Sequence, residues 1–244
     1  LLNLLERSGS LPFDSYYQNQ GTDIYNSGVN YNVLCRKVKD VARASASLSM
    51  LDQHVTDLLD REVGCLPRII ALYGATYTPH EFAHSLCLPG DYVAMTSFTH
   101  HPFGSKFALE TPDNRFGDTF LNLPIDTLMK RIVQSLQSGH AVCWEGDTSE
   151  AGFRFAEGRA TMPEGTKATQ EERQRLFDRR QTTDDHCMEL CGLARDRKGQ
   201  RFFIAKNSWG KGNRYKGFMY LSDDYVRLKT IAVYMRMPIE PPNQ

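Results

Sequence analysis

Asp185-His186-Cys187-Met188-Glu189-Leu190-Cys191-Gly192-Leu193-Ala194, followed by Arg201-Phe202-Phe203-Ile204-Ala205-Lys206-Asn207-Ser208-Trp209-Gly210, decides the fold. Both runs have the length and apolar content of strands, and Asp196-Arg197-Lys198-Gly199 between them is a turn signal. With residues 195–200 as the loop, His186 lies opposite Trp209 and Met188 opposite Asn207. Side chains alternate along a strand, so 186 and 188 share a face, as do 207 and 209. His186 and Asn207 are then diagonal neighbours, close enough for a hydrogen bond. A slip of one residue would put them on opposite faces. An imidazole serving as general base and then general acid must keep one tautomer and one orientation. An amide oxygen accepting from one ring nitrogen achieves this without adding charge, and a neighbouring indole keeps water off the bond.

Further strands are expected on both sides, at 92–98, 107–110, 141–145, 217–221 and 230–236. Helices dominate upstream. Leu34, Val38, Val41, Leu48, Leu51, Val55, Leu58 and Leu59 recur at helical spacing over 32–62, a stretch broken at most once and stopped at Gly64. Thr78-Pro79-His80-Glu81 opens a short helix, with Thr78 as N-cap, Pro79 at N1 and Glu81 closing a capping box. Pro124-Ile125-Asp126 opens another, stopped at Gly139, and Thr169 caps a short charged one. In the latter, Arg173 to Arg180 is interleaved with Asp and Glu and reads as a solvated face. Leu1 to Arg7 reads as the end of a helix stopped at Ser8-Gly9, and turn signals follow at Gly21 and Ser27-Gly28. A chain opening in mid-helix without Met predicts residues upstream of Leu1. Helices first and antiparallel strands after make the class α+β.

Composition excludes several roles. The 244 residues are 41% hydrophobic and 24% charged, an ordinary globular mixture with ample length for a core. Lys plus Arg equals Asp plus Glu, 29 against 29, so there is no basic surplus for nucleic acid. No apolar run approaches the roughly 20 residues that span a bilayer. Six cysteines without a CxxC pair are too few for a disulfide scaffold and read mostly as buried free thiols.

The decisive hairpin also resembles a known family. Asp185-His186 with its strand, then Lys206-Asn207-Ser208-Trp209-Gly210, is similar to the histidine and asparagine motifs of papain-like cysteine peptidases. Gly217-Phe218-Met219-Tyr220-Leu221 resembles the strand that follows them. Thr78-Pro79-His80-Glu81-Phe82, Asp91-Tyr92-Val93, Leu121-Asn122-Leu123-Pro124-Ile125-Asp126 and Gly139-His140-Ala141-Val142 follow the order of the bleomycin hydrolase (aminopeptidase C) branch. Leu4-Leu5-Glu6-Arg7-Ser8-Gly9 resembles the helix and turn that come after the nucleophile helix. The likeness runs over about residues 1 to 237.

The resemblance implies a papain-like α+β fold, with a helical half and an antiparallel barrel-like sheet but without the N-terminal nucleophile helix. Residues 1–244 would be one catalytic domain, incomplete at its N-terminus, with a helical insertion near 32–90. His186 would be the general base, Asn207 its orienter and Trp209 their support, with no metal or other cofactor. The partners implied are a peptide attacked from its N-terminus, a segment or chain bearing the nucleophile, and other copies in a ring-like homo-oligomer; nucleic acid and membrane are not among them. The compartment is left open, the resemblance pointing to the cytoplasm. The tail 238–244 would lie in the active-site cleft or hang free. One departure stands out: the family's Cys-Trp at the start of a long helix, with a Gln shortly before it, is absent.

Two other motifs compete. Cys143-Trp144 copies the nucleophile dipeptide but reads as mid-strand, where no helix dipole favours a thiolate. His80-Glu81-Phe82-Ala83-His84 matches H-E-x-x-H, the pattern of a zinc metallopeptidase. Against it, the helix is short, Glu81 serves the cap, and a third ligand could come only from His100 or His101. A non-catalytic binding module that has lost its nucleophile is the remaining alternative.

Overall fold

The computed structural model describes residues 2–12, 15 and 30–236. The signals at Gly21 and Ser27-Gly28 and the tail 238–244 lie outside the described residues. The chain forms two compact units, Asn3–Leu88 and Pro89–Gln244. No helix among the described residues is long and apolar enough to cross a membrane.

The first unit is built from helix ends written in the sequence. α1 (Leu2–Ser8) stops at Gly9, whose φ of 74° few other residues tolerate. The long amphipathic stretch is two helices, α2 (Tyr31–Ala44) and α3 (Leu48–Glu62). It breaks because the Ser47 side chain accepts from the Met50 amide at 3.3 Å and starts a new helix. A hairpin missed in the sequence follows, β1 (Ile70–Leu72) and β2 (Ala75–Tyr77). Its two-residue turn puts both Tyr73 and Gly74 at positive φ, the primed geometry that matches strand twist. In α4 (Pro79–Leu86) the capping box is complete. Glu81 donates its amide to Thr78 Oγ1 at 3.2 Å, and its carboxylate accepts from the Thr78 amide at 2.7 Å.

The second unit centres on a ten-stranded sheet among the described residues. Its elements in chain order begin with β3 (Tyr92–Thr96), β4 (Lys106–Ala108), β5 (Thr119–Asn122), α5 (Ile125–Gln137) and β6 (Val142–Gly146). There follow β7 (Phe153–Arg154), β8 (Arg159–Ala160), α6 (Gln170–Asp178), β9 (His186–Arg195) and β10 (Arg201–Lys206). β11 (Phe218–Ser222), α7 (Asp223–Lys229) and β12 (Thr230–Arg236) complete it. The strands run in the order β4-β5-β3-β12-β6-β9-β10-β11-β8-β7. All neighbours are antiparallel except β3–β5 and β8–β11. Trp144, Leu190, Phe203, Met219 and Val233 from five strands meet Leu128, Met129 and Ile132 of α5 in the main core. The Trp144 indole donates to Thr230 Oγ1 at 2.6 Å, so its one polar atom is satisfied inside.

Two expectations differ from the structure. None of the six cysteines is buried, because those on β6 and β9 lie on the face turned away from the core and the others sit on helix surfaces or ends. α6 is not a wholly solvated helix: Arg173 is 1% exposed and lies over the Phe98 ring at 4.6 Å. Its Nε donates to Ser97 O at 2.7 Å and its Nη1 to Arg227 O at 2.9 Å, while burial lowers its pKa to about 9. Between the expected strands 217–221 and 230–236 lies α7, which Ser222 caps by accepting from the Tyr225 amide at 3.3 Å.

Candidate active site

The hairpin of β9 and β10 brings the two predicted polar residues together by a route the sequence did not show. Its loop is 196–200, one residue shorter than expected, closed by the Asp196 amide on Gln200 O at 3.0 Å. From that end the ladder pairs Arg195 with Arg201 and Gly192 with Ile204. Continued unbroken, it would set Asn207 opposite Glu189, on the face away from His186. A β-bulge at Cys191 intervenes, and beyond it Leu190 pairs with Ala205 and Glu189 with Lys206. The expected register is thereby restored at the end that matters. Gly192 within the strand was the available signal for the bulge.

There His186 Nε2 and Asn207 Oδ1 are 2.9 Å apart. An amide oxygen can only accept, so Nε2 carries the proton and Nδ1 holds the lone pair. Nδ1 has no hydrogen-bond partner among the described residues. Asn207 is 7% exposed; its amide donates to Gly217 O at 3.0 Å and its side-chain nitrogen to Met219 Sδ at 3.6 Å. Trp209 packs beside the imidazole with ring centroids 4.8 Å apart, and the edges of Phe153 and Phe155 hold it at 5.6 and 5.3 Å. One side of the indole faces solvent, its exposure being 48%.

The start of β9 is fixed from β6. Gly146 pairs with His186, and a Cβ there would meet Lys229 O at 2.3 Å and the Trp144 ring at 2.4 Å. Asp185 accepts from the Thr148 amide and hydroxyl at 2.8 and 2.9 Å. Behind this loop, buried Lys229 reaches Asp147 at 3.2 Å, Glu150 at 2.8 Å and Gln181 O at 2.6 Å.

A sequence profile of the peptidase C1-like family matches residues 74–236, two thirds of the chain, with His186, Asn207 and Trp209 inside the match. The chain belongs to the peptidase C1-like family. Aminopeptidase G of Lactobacillus delbrueckii subsp. lactis is 28% identical over 152 residues, covering 56% of this chain and 33% of that protein. The crystal structure of PepW from Lactobacillus rhamnosis superposes with a TM-score of 0.69 at 19% identity, over 98% of this chain and 61% of PepW. The chain thus spans a third of the aminopeptidase and under two thirds of PepW. The papain-like fold and the branch indicated by the motifs both stand.

For a C1-like chain the position of every thiol matters. Cys143 pairs with Glu189 and Glu145 with Cys187, whereas Trp144 pairs with Met188 and Gly146 with His186. Paired side chains share a face, so Cys143 and Cys187 lie behind the sheet from the imidazole. These two share a hydrogen bond which, with partial desolvation of the sulfur, pushes the Cys187 thiol well above its ordinary range. Cys191 is the bulge residue, and partial desolvation of its sulfur raises its thiol too. Cys35 lies inside α2, Cys65 beyond α3, and Cys87 at the C-cap of α4. None of the six stands at a helix N-terminus.

Acids on that rear face are perturbed as well. Burial, then the hydrogen bond and charge of Glu145, push Asp184 up to about 8. Glu145 in turn accepts from the Tyr234 hydroxyl at 2.9 Å.

Among the described residues His80 and His84 gather no third ligand, and Glu81 is occupied by its cap. The three metal-capable side chains that do converge are His100, His101 and Glu110, whose carboxylate meets the two Nε2 atoms at 3.1 and 2.7 Å. In the sequence both histidines stand out only as a remote third ligand for His80 and His84. Gln174 decides their use: its oxygen accepts from the Thr99 amide, so its nitrogen faces Asp178 and His100 Nδ1, the latter at 3.0 Å. Nδ1 of His100 is therefore the acceptor and Nε2 carries the proton, donating to Glu110 where a metal ligand would need a lone pair. The cluster is a hydrogen-bonded surface clasp.

Proposed function

We propose that this chain supplies the general base of a thiol-dependent peptidase that removes residues from peptide N-termini. The observation that carries the reading is the His186–Asn207 hydrogen bond at 2.9 Å through Nε2, which leaves Nδ1 as the basic atom. In the reaction Nδ1 takes the proton of a cysteine thiol, and the thiolate attacks the peptide carbonyl. The imidazolium then donates its proton to the leaving amine as the acyl–sulfur bond remains. Water, deprotonated by the same nitrogen, hydrolyses that thioester. Asn207 holds the ring through both transfers without adding charge, and Trp209 with Phe153 and Phe155 keeps water from one side of the pair.

The attacking thiolate comes from a segment other than these 244 residues. Support lies in the placement of the six cysteines, two of them behind the sheet and none at a helix N-terminus, where a thiolate would be stabilised. The preference for free N-termini rests on the kinship with aminopeptidase G.

The test assays residues 1–244 on aminoacyl amides and peptides, alone and with an added C1-like segment carrying Cys-Trp at a helix start. Activity is expected only with the segment, to be lost on thiol alkylation and in His186→Gln, and to survive a chelator. Activity of the chain alone that disappears in Cys143→Ser would refute the origin of the nucleophile. Loss to a chelator with indifference to alkylation would transfer the chemistry to His80 and His84.

A further inference from the structure

Three guanidinium groups surround one cleft at the end of β9 opposite His186. The cleft, of about 680 Å³, lies between the residues around β8, the loop end of the β9–β10 hairpin and the turn before β11. Aromatic rings line it: Phe202 is buried, and Tyr215 meets Tyr220 edge-on with centroids 5.0 Å apart. Arg159 lies over Phe202 at 5.7 Å and Arg214 over Tyr215 at 5.6 Å, while Arg195 gives one nitrogen to Gly199 O at 2.9 Å.

None of these three arginines has a carboxylate partner among the described residues. The two acids beside them are engaged elsewhere. Glu157 accepts from Arg154 at 3.4 Å, and Asp196 accepts from the amides of Lys198 and Gln200 at 2.8 and 2.9 Å. The cleft wall is also fixed in shape. Buried Asn213 donates to Phe218 O at 2.8 Å and accepts from the amides of Tyr215 and Gly217 at 3.1 and 2.7 Å. Gly158, at φ 65°, lies so close under Tyr215 that a Cβ would meet the ring at 2.4 Å.

We infer that this cleft binds a phosphate-bearing small molecule with a planar ring, of the size of a nucleoside mono- or diphosphate. Guanidinium forks match the geometry of phosphate oxygens, and three cations without a carboxylate partner among the described residues favour a ligand carrying more than one negative charge. The partly exposed Tyr215 ring offers a planar partner a surface to pack on. The volume falls within the range of small-molecule sites. This binding is independent of the thiol chemistry.

Titration calorimetry of the purified chain with ADP, inorganic phosphate and adenosine tests it. ADP is expected to bind saturably with a Kd below about 1 mM. Phosphate and adenosine alone should each bind at least about tenfold more weakly, a difference of ~1.4 kcal/mol. The double variant Arg159→Gln/Arg214→Gln should weaken ADP by about tenfold or more, with its circular dichroism and melting unchanged. Tyr215→Leu should weaken ADP while sparing phosphate. Absence of saturable ADP binding, or an ADP affinity untouched in a folded double variant, would overturn the proposal. Phosphate binding as tightly as ADP would refute recognition of the ring.

Discussion

Asn207 is almost fully buried, and its side-chain oxygen has the His186 ring as its hydrogen-bond partner. Its removal should therefore be read at the imidazole. In Asn207→Ala the neutral His186 should change from a single Nε2–H tautomer to a mixture, seen in its ring nitrogen shifts by NMR. The lost hydrogen bond of ~1–1.5 kcal/mol corresponds to about a tenfold fall in kcat/KM in the thiol-bearing enzyme. An unchanged tautomer would show that Asn207 only fills space. Asp184 gives a second prediction at this scale. Its pKa is raised from 3.8 to about 8, so between those values the folded chain binds the extra proton and stability falls as pH rises. Asp184→Asn should flatten that fall, its urea midpoint exceeding the wild type's at pH 8 by more than at pH 5. Parallel pH slopes in the two proteins would refute the assignment.

Among the elements, β6 is the brace for the start of β9. Gly146 sits opposite His186 where only a backbone fits between Lys229 O and the Trp144 ring. Gly146→Ala should cost about 1–3 kcal/mol as the strands are forced apart. It should also lower kcat more than it raises KM, since the displaced residue pairs with the base. Wild-type melting in this variant would contradict the close approach. The bulge at Cys191 shows the same dependence of site on strand. A five-residue loop alone delivers Asn207 to the wrong face, and one extra residue in β9 reverses that.

On the scale of the whole second unit, the interior is held at a polar node as well as by its apolar core. Lys229 is 1% exposed and joins the end of α7 to Asp147 and Glu150 beyond β6. Lys229→Met leaves two acids uncompensated and should destabilise by about 3–5 kcal/mol, measured by chemical denaturation. A loss under about 1 kcal/mol would mean the node is hydrated, as exposed pairs are. Short-range chemistry was legible without a structure. The Thr78–Glu81 capping box, the helix starts at Pro124 and Thr169, the strands at 186 and 201 and the Asn-Ser-Trp-Gly motif each depend on residues a few positions apart. The His186–Asn207 pairing was legible only in part, because the assumed loop was one residue too long and the unseen bulge cancelled the error. Burial and facing were decided by tertiary structure alone. Arg173 entered the interior because Ser97, Phe98 and Arg227, distant in sequence, form its pocket. Cys143 and Cys187 turned from the imidazole because strand pairing, not local propensity, sets which face a side chain takes.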